Sequence, residues 1–83
     1  MRVMITGATG FIGRFLTQHC LEAGCSVLGI DRHESEEAVA GAALERCDIR
    51  DSVRLSELLA TFRPQRIFHL AAQSYPTVSL VQP

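Results

Sequence analysis

The sequence predicts an α/β chain, a parallel sheet with helices wound on both of its faces. Two observations predict it. Short apolar, β-branched runs recur at 2–6, 26–30 and 66–70, and two stretches between them carry an amphipathic period of 3.6 residues. Parallel strands need crossover connections of that kind. Right-handed crossovers and the doubly wound arrangement then give the strand order 3-2-1-4. At 83 residues the chain is at most one small domain, and it reads as the amino-terminal portion (1–83) of a larger one rather than as two.

Arg2 to Thr6 (RVMIT) is a buried-strand run that stops at Gly7. From Phe11 the period changes. Phe11, Ile12, Phe15, Leu16, Cys20 and Ala23 fall three and four apart and predict one apolar helical stripe. Gly24 follows, where a left-handed helix end is needed. Ser26 to Ile30 (SVLGI) predicts a second buried strand. His33 to Ala43 is first acidic (Glu34, Glu36, Glu37) and then small and apolar, and reads as a loop with room for a short helix. A short third strand is expected at about Leu44 to Cys47, before Asp48. Leu55, Leu58, Leu59 and Phe62 repeat at helical spacing, so a helix runs from Ser52 to Phe62, capped by Asp51 or Ser52 and stopped by Pro64. Arg66 to Leu70 (RIFHL) is the fourth strand, and no strong period continues after Ala72.

Composition narrows the function. The chain is 47% hydrophobic and 20% charged, which excludes a disordered tail or a collagen-like repeat. A net charge of −1 leaves no electrostatic footprint for nucleic acid. No apolar run approaches the ~20 residues a bilayer requires, and no signal peptide opens the chain, so neither membrane nor export is expected. Cys20, Cys25 and Cys47 form no C-x-x-C pair and have no partners at zinc spacing. They read as three small buried thiols in a reducing cytoplasm, with no metal site.

Gly7, Gly10 and Gly13 form a G-x-x-G-x-x-G between the first strand and the first helix. In a dinucleotide-binding turn one glycine makes the bend, one lets backbone approach a pyrophosphate, and one lets helix pack on strand. The amides of Phe11 and Ile12 would face the phosphates, helped by the helix dipole. Asp31 ends the next strand, where a carboxylate can accept from both ribose hydroxyls and repel a 2′-phosphate. Arg32 can instead pair with that phosphate, so NAD is favoured and NADP stays open.

TGATGFIG, Asp31-Arg32, Cys47-Asp48-Ile49-Arg50-Asp51 and His69-Leu70-Ala71-Ala72-Gln73-Ser74 together resemble the extended short-chain dehydrogenase/reductases. The resemblance spans the chain. It implies a Rossmann fold and NAD-dependent epimerisation, dehydration or reduction of nucleotide sugars. It also implies that Gly7, Gly10, Phe11 and Ile12 hold the pyrophosphate, that Asp31 and Arg32 meet the adenosine ribose, and that Asp48 and Ile49 flank the adenine. Leu70, Ala71, Ala72 and Gln73 would line the path to the nicotinamide ribose. AAQS with Tyr75, Val78-Ser79 and Gln82-Pro83 is most similar to the branch acting on GDP-linked mannose derivatives, which implies a GDP-linked hexose as substrate and a homo-oligomer as the full-length protein. Phe11-Ile12 stand where the dehydratases of that branch usually carry Gln-Asp, which moves weight toward a reductase or epimerase, and Pro76 stands where an aliphatic residue is more usual.

The family's catalytic Tyr-x-x-x-Lys pair is missing from these residues. The only tyrosine, Tyr75, is followed by Pro-Thr-Val-Ser, and all eight basic residues are arginines. No catalytic residue is therefore assigned. The chain reads first as the amino-terminal part of an enzyme, then as a cofactor-binding module without catalysis, then as a structural or interaction piece. His69 reads as a packed, hydrogen-bonded residue of the fourth strand, and His19 and His33 have no partners at useful spacing.

Overall fold

The computed structural model describes residues 1–32, 39–70 and 80–81. In chain order it contains β1 (Arg2–Thr6), α1 (Phe11–Glu22), β2 (Ser26–Asp31), β3 (Ala43–Arg46), α2 (Ser52–Phe62), β4 (Arg66–His69) and β5 (Leu80–Val81). The sheet order is β3-β2-β1-β4-β5, and its first four strands are parallel, as the sequence predicts. Met4 lies opposite Leu28 on one side and Ile67 on the other, so β1 is the central strand. One feature was not expected. The outer edge of β4 pairs antiparallel with β5, Leu80 facing Phe68 and Val81 facing Ile67. Two residues are too few to show a period, which is why the sequence left that edge bare.

Side chains of the central strands alternate between two cores, one on each face. Val3, Ile5 and Val27 pack with Ala8 and Cys20 beneath α1. Met4, Leu28 and Ile30 pack with Cys47 and Leu58 beneath α2. Burial on both faces is what a near-continuous apolar strand requires. Asp51 caps α2, accepting from the Arg54 N–H at 3.1 Å. Arg63 closes it in the left-handed region (φ 54°) ahead of Pro64.

The predicted stripe on α1 is corrected in part, since Cys20 is buried and Leu16 packs on the core but the rest of it does not. Phe11 and Phe15 are 82% and 72% exposed, Ile12 is also exposed, and the buried face is Gly13, Thr17 and Cys20. Close approach explains the rotation. A Cβ on Gly13 would lie 2.3 Å from the Gly7 carbonyl oxygen, so the helix sits on the strand at the position with no side chain. Thr17 can be buried beside it because its hydroxyl donates to the Gly13 carbonyl at 2.7 Å. The thiols are corrected in one respect too: Cys20 and Cys47 are buried, but Cys25 is only half-buried. The short helix considered after His33 falls largely on 33–38, outside the described residues, while Val39 to Ala42 form a turn.

Candidate functional site

The carboxyl ends of β1, β2 and β3 converge at one edge of the sheet, where loops leave the strands in a doubly wound fold. Gly7 turns the chain there at φ +71°, a conformation that suits glycine. The turn is pinned to β2, since the Gly7 and Ala8 N–H groups both donate to the Ile30 carbonyl, at 2.8 and 3.3 Å. A second clasp comes from Thr9, whose N–H and hydroxyl donate to Asp31 Oδ2 at 3.2 and 2.7 Å. The glycine turn and the acid at the end of β2 thus form one hydrogen-bonded unit.

Gly10 differs from its neighbours. Its backbone is extended (φ −71°, ψ 171°), which any residue adopts, and the nearest atom to a Cβ placed there is 3.5 Å away. The fold itself does not need a glycine at this position. The bare Cα leaves the backbone open to close approach. Gly10 is also the N-cap of α1, so no side chain caps the helix, and its first turn holds no acid. Phe11 and Ile12 occupy that first turn, whose N–H groups have no intrahelical acceptor. Its partial positive charge favours an anion.

Asp31, Arg32, Asp48 and Ile49 line one cleft of about 180 Å³, with Ile30, Cys47 and Arg50. The sequence named four of those residues, and the structure brings the four together. The Cys47 N–H, donating to the Asp31 carbonyl at 2.9 Å, ties the wall that carries Asp48 to the end of β2. Arg50 holds Asp48 from two sides, by its guanidinium at 2.8 Å and by its own N–H at 2.9 Å. The guanidinium bond, then the backbone bond, lowers the Asp48 carboxyl to about 2. Burial raises the Cys47 thiol.

Leu70 follows β4, and its N–H donates to both the carbonyl and the hydroxyl of Thr6, at 3.1 and 3.0 Å. The same hydroxyl shares a 2.8 Å hydrogen bond with His69 Nδ1, so His69 is bonded as expected. Ala71, Ala72, Gln73 and Tyr75 lie outside the described residues. Sequence reasoning missed Thr9, Thr6 and Arg50. Thr9 had a usable signal, a hydroxyl two residues after a turn glycine and beside a strand that ends in an acid. Thr6 and Arg50 act through contacts that only the fold or a tight turn creates.

The model of the NAD dependent epimerase/dehydratase family matches residues 3–83. The chain is 41% identical over 80 residues to a UDP-glucose 4-epimerase of Mycolicibacterium smegmatis, covering 88% of this chain and 26% of that protein. It is 33% identical over 94 residues to a GDP-mannose 4,6-dehydratase of Vibrio cholerae, covering 96% of this chain and 25% of that protein. The UDP-glucose 4-epimerase of Thermus thermophilus, solved in complex with NAD, superposes with a TM-score of 0.80 at 34% identity over 88% of this chain and 24% of that one. The chain spans about a quarter of the length of the curated relatives it matches.

Proposed function

The chain belongs to the NAD dependent epimerase/dehydratase family, and from that premise we propose that residues 1–83 are the dinucleotide-binding portion of an NAD-dependent enzyme acting on a nucleotide sugar. Gly10 supports the reading most directly, because its missing side chain serves no packing need of the fold. Gly7 and Gly10, with the first-turn amides of Phe11 and Ile12, would hold the pyrophosphate. Asp31 and Arg32 would meet the adenosine ribose, and Asp48 and Ile49 would flank the adenine in the cleft they share. Leu70, followed by Ala71, Ala72 and Gln73, would lead toward the nicotinamide ribose. The bound nicotinamide supplies hydride transfer, here at C4 of the sugar, for epimerisation, 4,6-dehydration or 4-keto reduction. A GDP-linked hexose is the substrate the sequence favours, and a UDP-linked hexose is the alternative that the UDP-glucose 4-epimerase relative supports. The full-length enzyme would work as a cytoplasmic homo-oligomer, which sedimentation measures directly.

The cofactor test must respect the clasp on Thr9, since Asp31→Ala removes the acceptor of two bonds within the turn. Asp31→Asn keeps an acceptor oxygen and removes only the charge. Calorimetric titration with NAD and NADP should show NAD binding more tightly to the native protein. In Asp31→Asn, NAD affinity should fall about tenfold, equivalent to about 1.4 kcal/mol, while NADP gains. Equal affinities unchanged by the substitution would refute the assignment of Asp31.

A further inference from the structure

The end of α1 joins two cysteines that the reading of the site leaves unused. Gly24, at φ +87°, donates its N–H to the Leu21 carbonyl, and the Cys25 N–H donates to the Cys20 carbonyl, both at 3.0 Å. These are the two bonds of a Schellman turn, in which the residue after the glycine packs against the one that opens the last helical turn. Here that pair is Cys25 and Cys20. The 3.0 Å bond and standard backbone dimensions limit their Cα separation to about 7 Å, and the bend at the carbonyl shortens it. Disulfides bridge Cα atoms roughly 4.4–6.8 Å apart. Both thiols are free, Cys20 is buried, and half-buried Cys25 packs against the core cluster that contains Cys20. Cys47 lies in the other core, under α2.

We propose that Cys20 and Cys25 are a dithiol modification site, which reacts with a low-molecular-weight disulfide of the glutathione class and closes to an intramolecular disulfide across the end of α1. Cys25 is the sulfur that solution reaches first. Its thiolate attacks one sulfur of glutathione disulfide and releases one glutathione, leaving a mixed disulfide on Cys25. The Cys20 thiol then gives its proton to solvent and attacks the Cys25 sulfur, releasing the second glutathione. Two protein thiols are oxidised, and one glutathione disulfide is reduced to two thiols. Burial, and after it the neighbouring Cys25, raise the Cys20 thiol, which leaves the first attack to Cys25.

The arginine-only basic composition makes the test direct. Trypsin cleavage after Arg14 and Arg32 yields a single peptide, 15–32, that holds both cysteines, and Cys47 falls in a separate one, 47–50. The protein is equilibrated across a series of glutathione disulfide to glutathione ratios, quenched in denaturant with an alkylating agent, digested and weighed. Peptide 15–32 should lose two hydrogens and both alkylatable thiols as the ratio rises, and recover them in excess glutathione, while Cys47 stays alkylatable. Cys20→Ala should stop at one glutathionyl group on Cys25, and Cys25→Ala should leave Cys20 unmodified. A permanent glutathionyl group on native Cys25, full alkylation of both thiols at every ratio, or a disulfide involving Cys47 would each overturn the proposal. The native peptide alone decides the matter if Cys20→Ala does not fold. No arm involves a dinucleotide, so the result is independent of the cofactor reading.

Discussion

Two glycines three residues apart have opposite reasons to be glycine. At Gly13 a Cβ would meet the Gly7 oxygen at 2.3 Å and the Ala8 Cα at 2.8 Å, both backbone atoms that cannot swing aside. Gly13→Ala should destabilise the protein by about 2–3 kcal/mol, even after the ~1 kcal/mol that alanine gains over glycine in a helix. At Gly10 the Cβ has room, so Gly10→Ala should cost less than about 1 kcal/mol, the loss of a tolerable N-cap. Its NAD affinity should nevertheless fall tenfold or more. Urea unfolding and calorimetry on the two variants separate the roles, and a stable Gly10→Ala protein with native affinity would remove the pyrophosphate assignment. A second test concerns Asp48. Its carboxyl is lowered, so the pair with Arg50 is intact above the ordinary carboxylate range and is lost as pH falls from about 4 to about 2. The pair is exposed, so the place to look is the carboxyl itself: its carbon-13 shift should titrate near 2 and rise toward the ordinary range in Arg50→Gln, which keeps only the backbone N–H bond. An unmoved titration in that variant would assign the shift to something other than the Arg50 guanidinium.

At the scale of the elements, the structure holds its strand ends through side chains as well as the ladder. Thr6 is 3% exposed, and its hydroxyl serves both the Leu70 N–H and His69 Nδ1. Thr6→Val keeps the shape and removes both contacts, although the Leu70 N–H retains the Thr6 carbonyl. The expected loss is about 1–2 kcal/mol in urea unfolding, the cost of leaving a half-buried histidine nitrogen unpartnered, and an unchanged midpoint would show that water replaces the hydroxyl. Most elements were legible in the sequence, because strands buried on both faces and helices with repeated leucines leave strong local patterns. RVMIT is β1 and the leucine repeat is α2, with the expected ends. The orientation of α1 was not legible. Apolarity pointed to Phe11 and Phe15, whereas the contact that turns the helix is made by the residue with no side chain, and no hydropathy pattern records an absence of volume. For the candidate site, the glycines and Asp31 were readable because spacing marks them. Thr9 left a signal that went unread, a hydroxyl just after the turn glycine, while Arg50 left none, since its partner is fixed by a tight turn.

For the molecule as a whole, the proposed function separates cofactor binding from proton transfer. Hydride chemistry at a sugar carbon needs an acid–base group within about 3 Å of the reacting oxygen, and a tyrosine without a nearby lysine keeps a pKa near ~10. Residues 1–83 by themselves should therefore bind the dinucleotide and turn over no nucleotide sugar. Cofactor absorbance and product chromatography with GDP-mannose and UDP-glucose check this, and turnover that vanishes in Tyr75→Phe would make Tyr75 the acid–base group. The central position of β1 has a consequence for how the protein is made. Its first neighbour, β2, follows after one helix, so β1, α1 and β2 can close as soon as they leave the ribosome. Its other neighbour, β4, pairs Val3 with Arg66, about 60 residues later. Throughout that interval of synthesis the far edge of β1 carries unmatched backbone donors and acceptors between apolar faces. The nascent chain is then a template for any extended segment nearby, and the arrival of Arg66–His69 ends that exposure.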